Sequence, residues 1–314
     1  MSGGLVTLGE TMALFRPTGI GSLAHESEFR LAIGGAESNV AIGVARLGGT
    51  AAWIGRVGAD SLGERVSREL RAERVDARVV VDGGARTGLM IKERRTPDHT
   101  GVLYYRAGSA GSRISPDDLD GALIRAAGVL HITGITPALS TSAAGAVFAA
   151  VDLADEAGVP VSFDVNHRAT LWSAAEAVPV YQELARRADL VFAGEDEAAM
   201  LVGNGPPADL AARIAALGPG QVLIKRGAEG CFALIDGVAH EVAARTVSVV
   251  DTVGAGDAFV AGYLAELLAG EPAAARLATA VAAGAFACLG PGDWESLPRR
   301  ADLAMLDRTD PVTR

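Results

Sequence analysis

The 314-residue chain has little cysteine, few aromatic residues and no excess of basic charge. Its two cysteines, Cys231 and Cys288, lie in apolar runs, so they form neither a disulfide framework nor a metal-ligand cluster. The net charge is −10, which argues against nucleic acid and anionic membranes as partners. A small anionic ligand remains compatible with this charge, because it needs only two or three well-placed cations.

Targeting and membrane-spanning segments are also lacking. The N-terminus MSGGLVTLGE has no basic stretch followed by an apolar one, and charges interrupt the longest apolar runs too soon to cross a bilayer. We therefore expect a soluble cytoplasmic protein. The sequence has no GxxxxGK[ST] motif, which excludes P-loop kinases as a model, and the opening strand LVTLGE lacks the GxGxxG of a Rossmann dehydrogenase.

Short apolar runs alternate with Ala-rich segments of helical spacing. This alternation predicts an α/β fold, a doubly wound and mostly parallel sheet with helices on both faces. The predicted core strands are 5–9, 51–58, 129–134, 159–166, 188–194 and 222–227. Two more helices are expected at 255–269 and 272–289, with Pro272 at the first helical position of the second.

Two regions, 10–33 and 86–107, instead read as short alternating strands without helices between them. Because such segments usually pair antiparallel, we predict that they form a small separate sheet, a β lid. The lid is inserted into an α/β core made of residues 1–9, 34–85 and 108–314. Its exposed strand edges favour a homodimer formed through the lid.

The string DTVGAGDAF, residues 251–259, opens directly into an apolar helix. Gly254, Ala255 and Gly256 can bring backbone N–H groups to an anion at the helix N-terminus. Asp257 is then either a first-turn acid favoured by the helix dipole or a general base beside a phosphoryl group. Asp251 either caps the turn or binds a cation, for which a monovalent ion such as K⁺ is a candidate.

The string D-T-x-G-A-G-D resembles the C-terminal signature of the ribokinase-like (PfkB) sugar kinases. GGAESNVAIGVARLG (34–48) and GRVGADSLG (55–63) resemble the N-terminal signature. The resemblance implies a ribokinase-like fold, transfer of the ATP γ-phosphate to a sugar hydroxyl with Mg²⁺, and Asp257 as the base. It also implies that Lys225, Gly227 and Gly230 lie along the nucleotide, a role compatible with the tight hairpin that KRGAEG predicts.

One motif departs from the family pattern. Family members usually carry Asn-x-x-Glu after the strand that corresponds to ADLVFA, whereas this chain has Gly194 in place of the Asn and retains the Glu as Glu197. Glu197 is either a ligand that helps to place Mg²⁺ or a first-turn helix acid. Asn166, nearby in DVNHR, is a candidate to compensate at the nucleotide.

Several strings, among them GETMALFRP, YYRAGSAGSRISPDDLD and DVNHRATLW, resemble one branch of the family, the 2-keto-3-deoxygluconate kinases. Arg106 and Arg168, if they converge on one crevice, suit a carboxylate, because a guanidinium group binds a carboxylate through two parallel hydrogen bonds. Asn39 either binds sugar hydroxyls or caps its helix, and Asp293 would bind a distal hydroxyl. The expected substrate contacts are Gly34, Gly35, Asn39, Tyr104, Tyr105, Arg106, Arg168 and Asp293.

The leading hypothesis is an ATP-dependent kinase for 2-keto-3-deoxygluconate that gives the 6-phosphate. A fructokinase or another sugar kinase of the same fold is the first alternative. The second, from a different class, is a sugar-binding sensor without turnover, and Gly194 in place of Asn is its only support.

Overall fold

A computed structural model describes residues 3–96 and 99–307 of the chain. The strands are, in chain order, β1 (Leu5–Leu8), β2 (Met12–Pro17), β3 (Phe29–Gly34), β4 (Ala51–Gly58), β5 (Asp76–Asp82), β6 (Leu89–Thr96), β7 (His99–Tyr105), β8 (Val129–Thr133), β9 (Val161–Asp164), β10 (Leu190–Gly194), β11 (Gln221–Lys225), β12 (Cys231–Ile235) and β13 (Val238–Val242). The helices are α1 (Ala36–Arg46), α2 (Ser61–Ala72), α3 (Gly121–Arg125), α4 (Thr141–Ala157), α5 (Ala174–Arg187), α6 (Glu195–Val202), α7 (Pro207–Ala215), α8 (Ala255–Leu268) and α9 (Ala273–Ala287). Within the described ranges, no helix has the length and apolarity needed to span a membrane.

The main sheet has nine strands in the order β13-β12-β11-β10-β9-β8-β1-β4-β5. All neighbours pair parallel except β11–β12 and β12–β13. One face is covered by α1, α8 and α9, which pack around Trp53, Phe192 and Tyr263. The other face is covered by α4, α5 and α7, which pack around Phe163 and Tyr181. The predicted doubly wound α/β class is confirmed, and all six predicted core strands belong to this sheet.

The strand order reverses direction between β1 and β8. From β1 the chain builds outward to β4 and β5, and from β8 it builds the opposite way through β9 and β10. In open α/β sheets this switch point leaves a crevice outside the carboxyl ends of the strands. Residues that directly follow β1, β8, β9, β10 and β11 are therefore placed around one crevice.

The remaining four strands form a separate small sheet, called the lid sheet, in the order β3-β2-β6-β7. The β2–β3 and β6–β7 pairs are antiparallel as predicted, but β2–β6 is parallel. The reason lies in the core: β2 follows β1 and β6 follows β5, and these two parallel core strands end at the same edge. A separate small sheet is thus confirmed, whereas the exact domain boundaries stay a proposal.

The two predicted C-terminal helices are α8 and α9. Pro272 is the N-cap of α9 and not its first helical residue, which corrects the sequence prediction. Its ψ of 159° is extended, so the helical backbone begins one residue later, at Ala273. A proline at either position removes only an N–H group that would have no helical acceptor.

Candidate active site

A cavity of about 800 Å³ lies between the lid sheet and the carboxyl ends of the main-sheet strands. Glu10 follows β1, Asn166 follows β9 and Lys225 ends β11, while Lys92 and Tyr104 reach the cavity from the lid sheet. A second cavity of about 490 Å³ adjoins the first. The two share Lys225, Thr252 and Gly256 in their walls.

The turn at residues 251–256, which leads into α8 and is called the glycine turn, separates the two cavities. Gly254 has φ of +80°, and a Cβ there would lie 2.0 Å from the carbonyl oxygen of Asp293, so only glycine fits. The N–H groups of Gly256 and Asp257 have no acceptor among the described residues and belong to the first turn of α8. Ala255 differs, because its N–H donates to the Thr252 carbonyl (3.2 Å) and is therefore not available to an anion as predicted.

Asp257 is buried in the first turn of α8 and lines the larger cavity. Its Oδ2 accepts a hydrogen bond of 2.8 Å from Asn39 Nδ2. Burial raises the pKa of Asp257 to about 7, although the Asn39 hydrogen bond and the charge of Arg168 act in the opposite direction. A carboxylate with a pKa near the working pH suits proton abstraction, since a general base should be ionised yet still basic.

Asn39 does not cap α1, so that alternative is wrong. Its backbone N–H donates to the Gly35 carbonyl (2.8 Å) as part of the helix, and its side chain faces Asp257. The Asn39 Oδ1 atom is buried and has no hydrogen-bond partner in the described part of the chain. Asn39 therefore orients the carboxylate and leaves an acceptor for a hydroxyl.

Lys225 is held at the junction of the two cavities by Asp164. The Nζ atom lies 2.7 and 2.8 Å from the two carboxylate oxygens of Asp164. Burial lowers the pKa of Lys225, but the charges of Asp164 and Glu197 outweigh it, so the pKa is raised and the ammonium group stays charged. A fixed ammonium at this point suits a phosphate group.

Glu197 takes the first-turn position in α6. Its Oε2 accepts from the Gly194 N–H (2.7 Å) and its Oε1 from the His167 N–H (2.8 Å), so both oxygens have backbone donors. Across residues 3–96 and 99–307, no group of three or more His, Cys, Asp or Glu side chains is arranged to hold a metal ion. This arrangement is compatible with Mg²⁺ bound mainly through nucleotide phosphates and water, which is its usual mode. Asn166, with φ of 39°, lies in the same wall.

The smaller cavity is bounded by the hairpin between β11 and β12. Arg226 N–H donates to the Gly230 carbonyl (2.8 Å), which confirms the predicted hairpin. Gly227 (φ 53°) and Gly230 (φ 95°) both have left-handed backbones, and both line the cavity. Phe259 and Val281 form apolar walls that fit a flat aromatic base.

Arg106 reaches the larger cavity from the end of β7 and is paired with Glu10, a residue that the sequence reading missed. Glu10 Oε2 lies 2.7 Å from Arg106 Nε and 2.6 Å from Nη2, and Ser109 Oγ donates to Oε1. The Arg106 guanidinium also lies 5.6 Å from the Tyr104 ring centroid. Glu10 follows β1 directly, and its position at the carboxyl end of a core strand could have identified it.

Arg168 differs from Arg106 because its guanidinium has no hydrogen-bond or ion-pair partner in the residues described, although its carbonyl accepts from the Leu171 N–H (2.9 Å). It is exposed and lines the larger cavity. Burial raises the pKa values of Asp257 and Asp164, and the positive charge of Arg168 partly offsets this rise. This is a guanidinium available to a ligand.

Two expected sugar contacts lie outside the larger cavity. Tyr105 is 61% exposed and faces away from it, which corrects the prediction: neighbouring residues of a strand point to opposite faces, and Tyr104 takes the inward one. Gly34 does not line the cavity but makes room for it, because a Cβ there would lie 2.6 Å from Asp293 Oδ2. Gly35 lies in the wall as predicted.

Asp293 lies in the cavity wall and is paired with a second residue that the sequence reading missed, Lys92. Lys92 Nζ is 2.6 Å from Asp293 Oδ1 and 3.4 Å from Asp251 Oδ2. Asp251 lies outside both cavities, and its Oδ1 accepts from the Val253 N–H (3.1 Å), so it does cap the turn. Lys92 lies two residues after Met90 on β6, so both side chains point to the inward face of the strand. A charged residue at a position where the alternation predicts an apolar one could have identified Lys92 from the sequence.

Comparison with known proteins accounts for this combination of fold and cavities. The model of the pfkB family carbohydrate kinases matches residues 3–300. The chain belongs to this family. The protein is therefore a carbohydrate kinase, and the strings at 34–48 and 251–257 lie within the matched residues.

Relatives and solved structures agree with this assignment. The 2-dehydro-3-deoxygluconokinase of Bacillus subtilis strain 168 is 37% identical over 309 residues, with 95% of this chain and 94% of the relative covered. Fructokinase-1 of Zea mays is 34% identical over 314 residues, with 96% and 97% covered. The structure of 2-dehydro-3-deoxygluconokinase from Thermotoga maritima has a TM-score of 0.87 at 27% identity, with 98% of both chains covered. A ribokinase-like structure from E. coli, solved with ATP and Mg²⁺, shares the fold with a TM-score of 0.90 at 24% identity, covering 97% of this chain and 99% of that one.

Proposed function

We propose that this carbohydrate kinase transfers the γ-phosphate of ATP to the terminal hydroxyl of 2-keto-3-deoxygluconate, giving the 6-phosphate. The observation that carries the choice of a sugar acid is Arg168, an unpaired guanidinium among the described residues of the cavity wall. A carboxylate is the ligand that such a group binds best. The name of the Bacillus subtilis relative points to the same substrate.

In the proposed reaction, Asp257 accepts the proton of the attacking hydroxyl, and Asn39 holds the carboxylate in position. The N–H groups of Gly256 and Asp257 stabilise the charge of the transferring phosphoryl group. Lys225, fixed by Asp164, binds the nucleotide phosphates from the junction of the cavities. Gly227 and Gly230 border the nucleotide, and Mg²⁺ bound with ATP would supply positive charge to its phosphates.

At the sugar end, the two arginines differ in whether their guanidinium groups are already paired. The Arg168 guanidinium, which has no partner within residues 3–96 and 99–307, binds the carboxylate, whereas Arg106 is oriented by Glu10 and offers its remaining N–H groups. Asp293 accepts from a distal hydroxyl next to Lys92. Glu197 and Asn166 remain proposed neighbours of Mg²⁺ and nucleotide.

Arg168→Gln tests the sugar-acid assignment. We expect KM for 2-keto-3-deoxygluconate to rise by about 10- to 150-fold with little change in KM for fructose, since one charge-assisted hydrogen bond contributes about 1.5–3 kcal/mol. Arg168 is preferable to Arg106 because removing Arg106 would leave the buried Glu10 without its cation. Steady-state kinetics on both sugars provide the measurement.

Arg125→Gln is the matched control, because Arg125 is an exposed arginine that pairs with Glu156 at the surface. It should leave both KM values unchanged. Equal kcat/KM of the wild type on fructose and on the keto acid would contradict the proposal and favour a fructokinase. Absence of ADP release with any sugar acid or hexose would favour a non-catalytic sensor instead.

We propose a homodimer formed through the outer face of the lid sheet. Leu103 and Tyr105 lie on that face, two residues apart on β7, and are 45% and 61% exposed. Exposed apolar side chains in a row are typical of an interface. A Leu103→Ser, Tyr105→Ser variant is expected to sediment as a monomer while the wild type sediments as a dimer. Val238→Ser, an exposed site on β13, is the control, and a wild-type monomer would refute this assembly.

Three further expectations remain proposals. A cytoplasmic location suits an enzyme that consumes ATP. Partners other than the small-molecule substrates and a second copy, namely nucleic acid and membranes, are disfavoured by the net charge of −10. K⁺ at Asp251 would compete with Lys92, whose ammonium group is already 3.4 Å from that carboxylate.

A further inference from the structure

Lys92 joins three segments that are far apart in the sequence. It belongs to β6 of the lid sheet, yet its ammonium group contacts Asp251 in the turn before α8 and Asp293 in the loop after α9. The side chain is only 3% exposed. A buried ammonium group requires such partners, because its desolvation would otherwise be costly.

Both carboxylates that Lys92 contacts shape the glycine turn. Asp251 caps it through Val253 N–H, and the backbone of Asp293 packs where a Cβ of Gly254 would lie. Without a cation between them, two carboxylates would face each other beside a site for phosphate. Repulsion would then displace the turn that carries Gly254 and Gly256.

The composition of the chain singles out this position. Of the 28 basic residues only two are lysines, Lys92 and Lys225, and all the others are arginines. Both lysines line the larger cavity, and both contact buried aspartates. A compact ammonium group is a point charge, unlike a planar guanidinium fork. The chain therefore uses lysine where a small cation is needed.

The surroundings of Asp251 also disfavour a free metal cation. A depression of about 270 Å³ leads to this carboxylate, and its wall contains Arg16, Arg30 and Arg94 together with Lys92. An ion entering from this side would meet four positive charges.

We propose that Lys92 is the built-in monovalent cation of the glycine turn, delivered by the lid sheet, so that turnover needs no added K⁺. Lys92 is then a positioning residue: it acts on the phosphate site through Asp251 and Asp293 and does not take part in proton transfer. This inference rests on the carboxylate geometry and on kinase activity, and it is independent of which sugar is the substrate.

Two substitutions of Lys92 test this role, one that leaves room for an ion between the carboxylates and one that does not. Lys92→Ala removes the charge and leaves room for an ion, whereas Lys92→Met removes the charge and fills the room. In buffer with tetramethylammonium and Mg²⁺ as the only cations, both variants should lose about 10- to 100-fold in kcat, the scale of a displaced catalytic group. Addition of K⁺ or methylammonium should restore Lys92→Ala and not Lys92→Met, and the wild type should respond to neither.

Melting temperature and MgATP binding, measured in the same buffers, separate this role from folding. If K⁺ activates the wild type, or if folded Lys92→Ala stays impaired in every cation, the proposal is overturned. Restoration of Lys92→Met to the same extent as Lys92→Ala would also overturn it, because no ion fits there. Lack of turnover by the wild type on every sugar would instead refute the kinase function.

Discussion

Asp257→Asn is expected to lower kcat by about 10²–10⁴-fold, the usual contribution of a general base, while sugar and nucleotide still bind. The amide has the size of the carboxylate and can accept the Asn39 hydrogen bond through its own oxygen, so the local geometry should persist. What it lacks is the ability to accept the hydroxyl proton. Single-turnover kinetics and equilibrium binding provide the measurement.

The pH profile gives an independent sign of the same role. Because burial raises the pKa of Asp257 to about 7, kcat/KM of the wild type should fall as pH drops through about 7 and level off above it. This limb should be absent from the Asn variant. Folding raises this pKa from 3.8 to about 7, so stability falls as pH rises between these values, and the full cost of the ionised carboxylate is present at pH 8, where the variant should melt at a higher temperature.

Asp209→Asn is the matched control, since Asp209 is also a first-turn acid, in α7, and lies outside both cavities. It should keep the wild-type kcat. An Asp257→Asn enzyme with near-normal kcat would refute the base assignment and leave Asp257 as an acid favoured by the helix dipole.

Lys225→Met is expected to lower the free energy of unfolding by about 3–5 kcal/mol, the cost of leaving a buried charge without its partner. Asp164 is the charge left behind, and its side chain is only 2% exposed. The double variant Asp164→Asn, Lys225→Met should recover most of this loss, because no uncompensated carboxylate remains. Urea unfolding monitors both, and both should bind ATP poorly since the phosphate contact is gone.

Arg125→Met serves as the control for loss of a surface ion pair, and it should change the unfolding free energy little. If Lys225→Met is as stable as the wild type, or if the double variant is no better than the single one, the pair does not stabilise the fold as argued.

The sequence predicted those parts of the site that local patterns encode. The alternation of strands and helices indicated the doubly wound sheet, and DTVGAGD indicated an anion site at the start of α8. Asp257 and Lys225 were predicted because each lies in a short string whose geometry is local, and both line the larger cavity. The predictions for Tyr105 and Ala255 were wrong, and each missed by one position. In a strand, a shift of one residue turns the side chain to the opposite face, as at Tyr105. In the tight turn, the Ala255 N–H is already bonded to the Thr252 carbonyl.

By itself, then, the sequence determined the fold class and the family, and it predicted where a phosphate would bind, because hydrophobic period, glycine placement and motif spacing act over a few residues. Only the tertiary structure decided the partners: Asn39 with Asp257 across 218 positions, Glu10 with Arg106 across 96, and Lys92 with Asp251 across 159. These contacts depend on how the lid sheet and the core strands meet. No local sequence pattern specifies how the lid sheet packs against the core, since burial and charge pairing are properties of the folded chain.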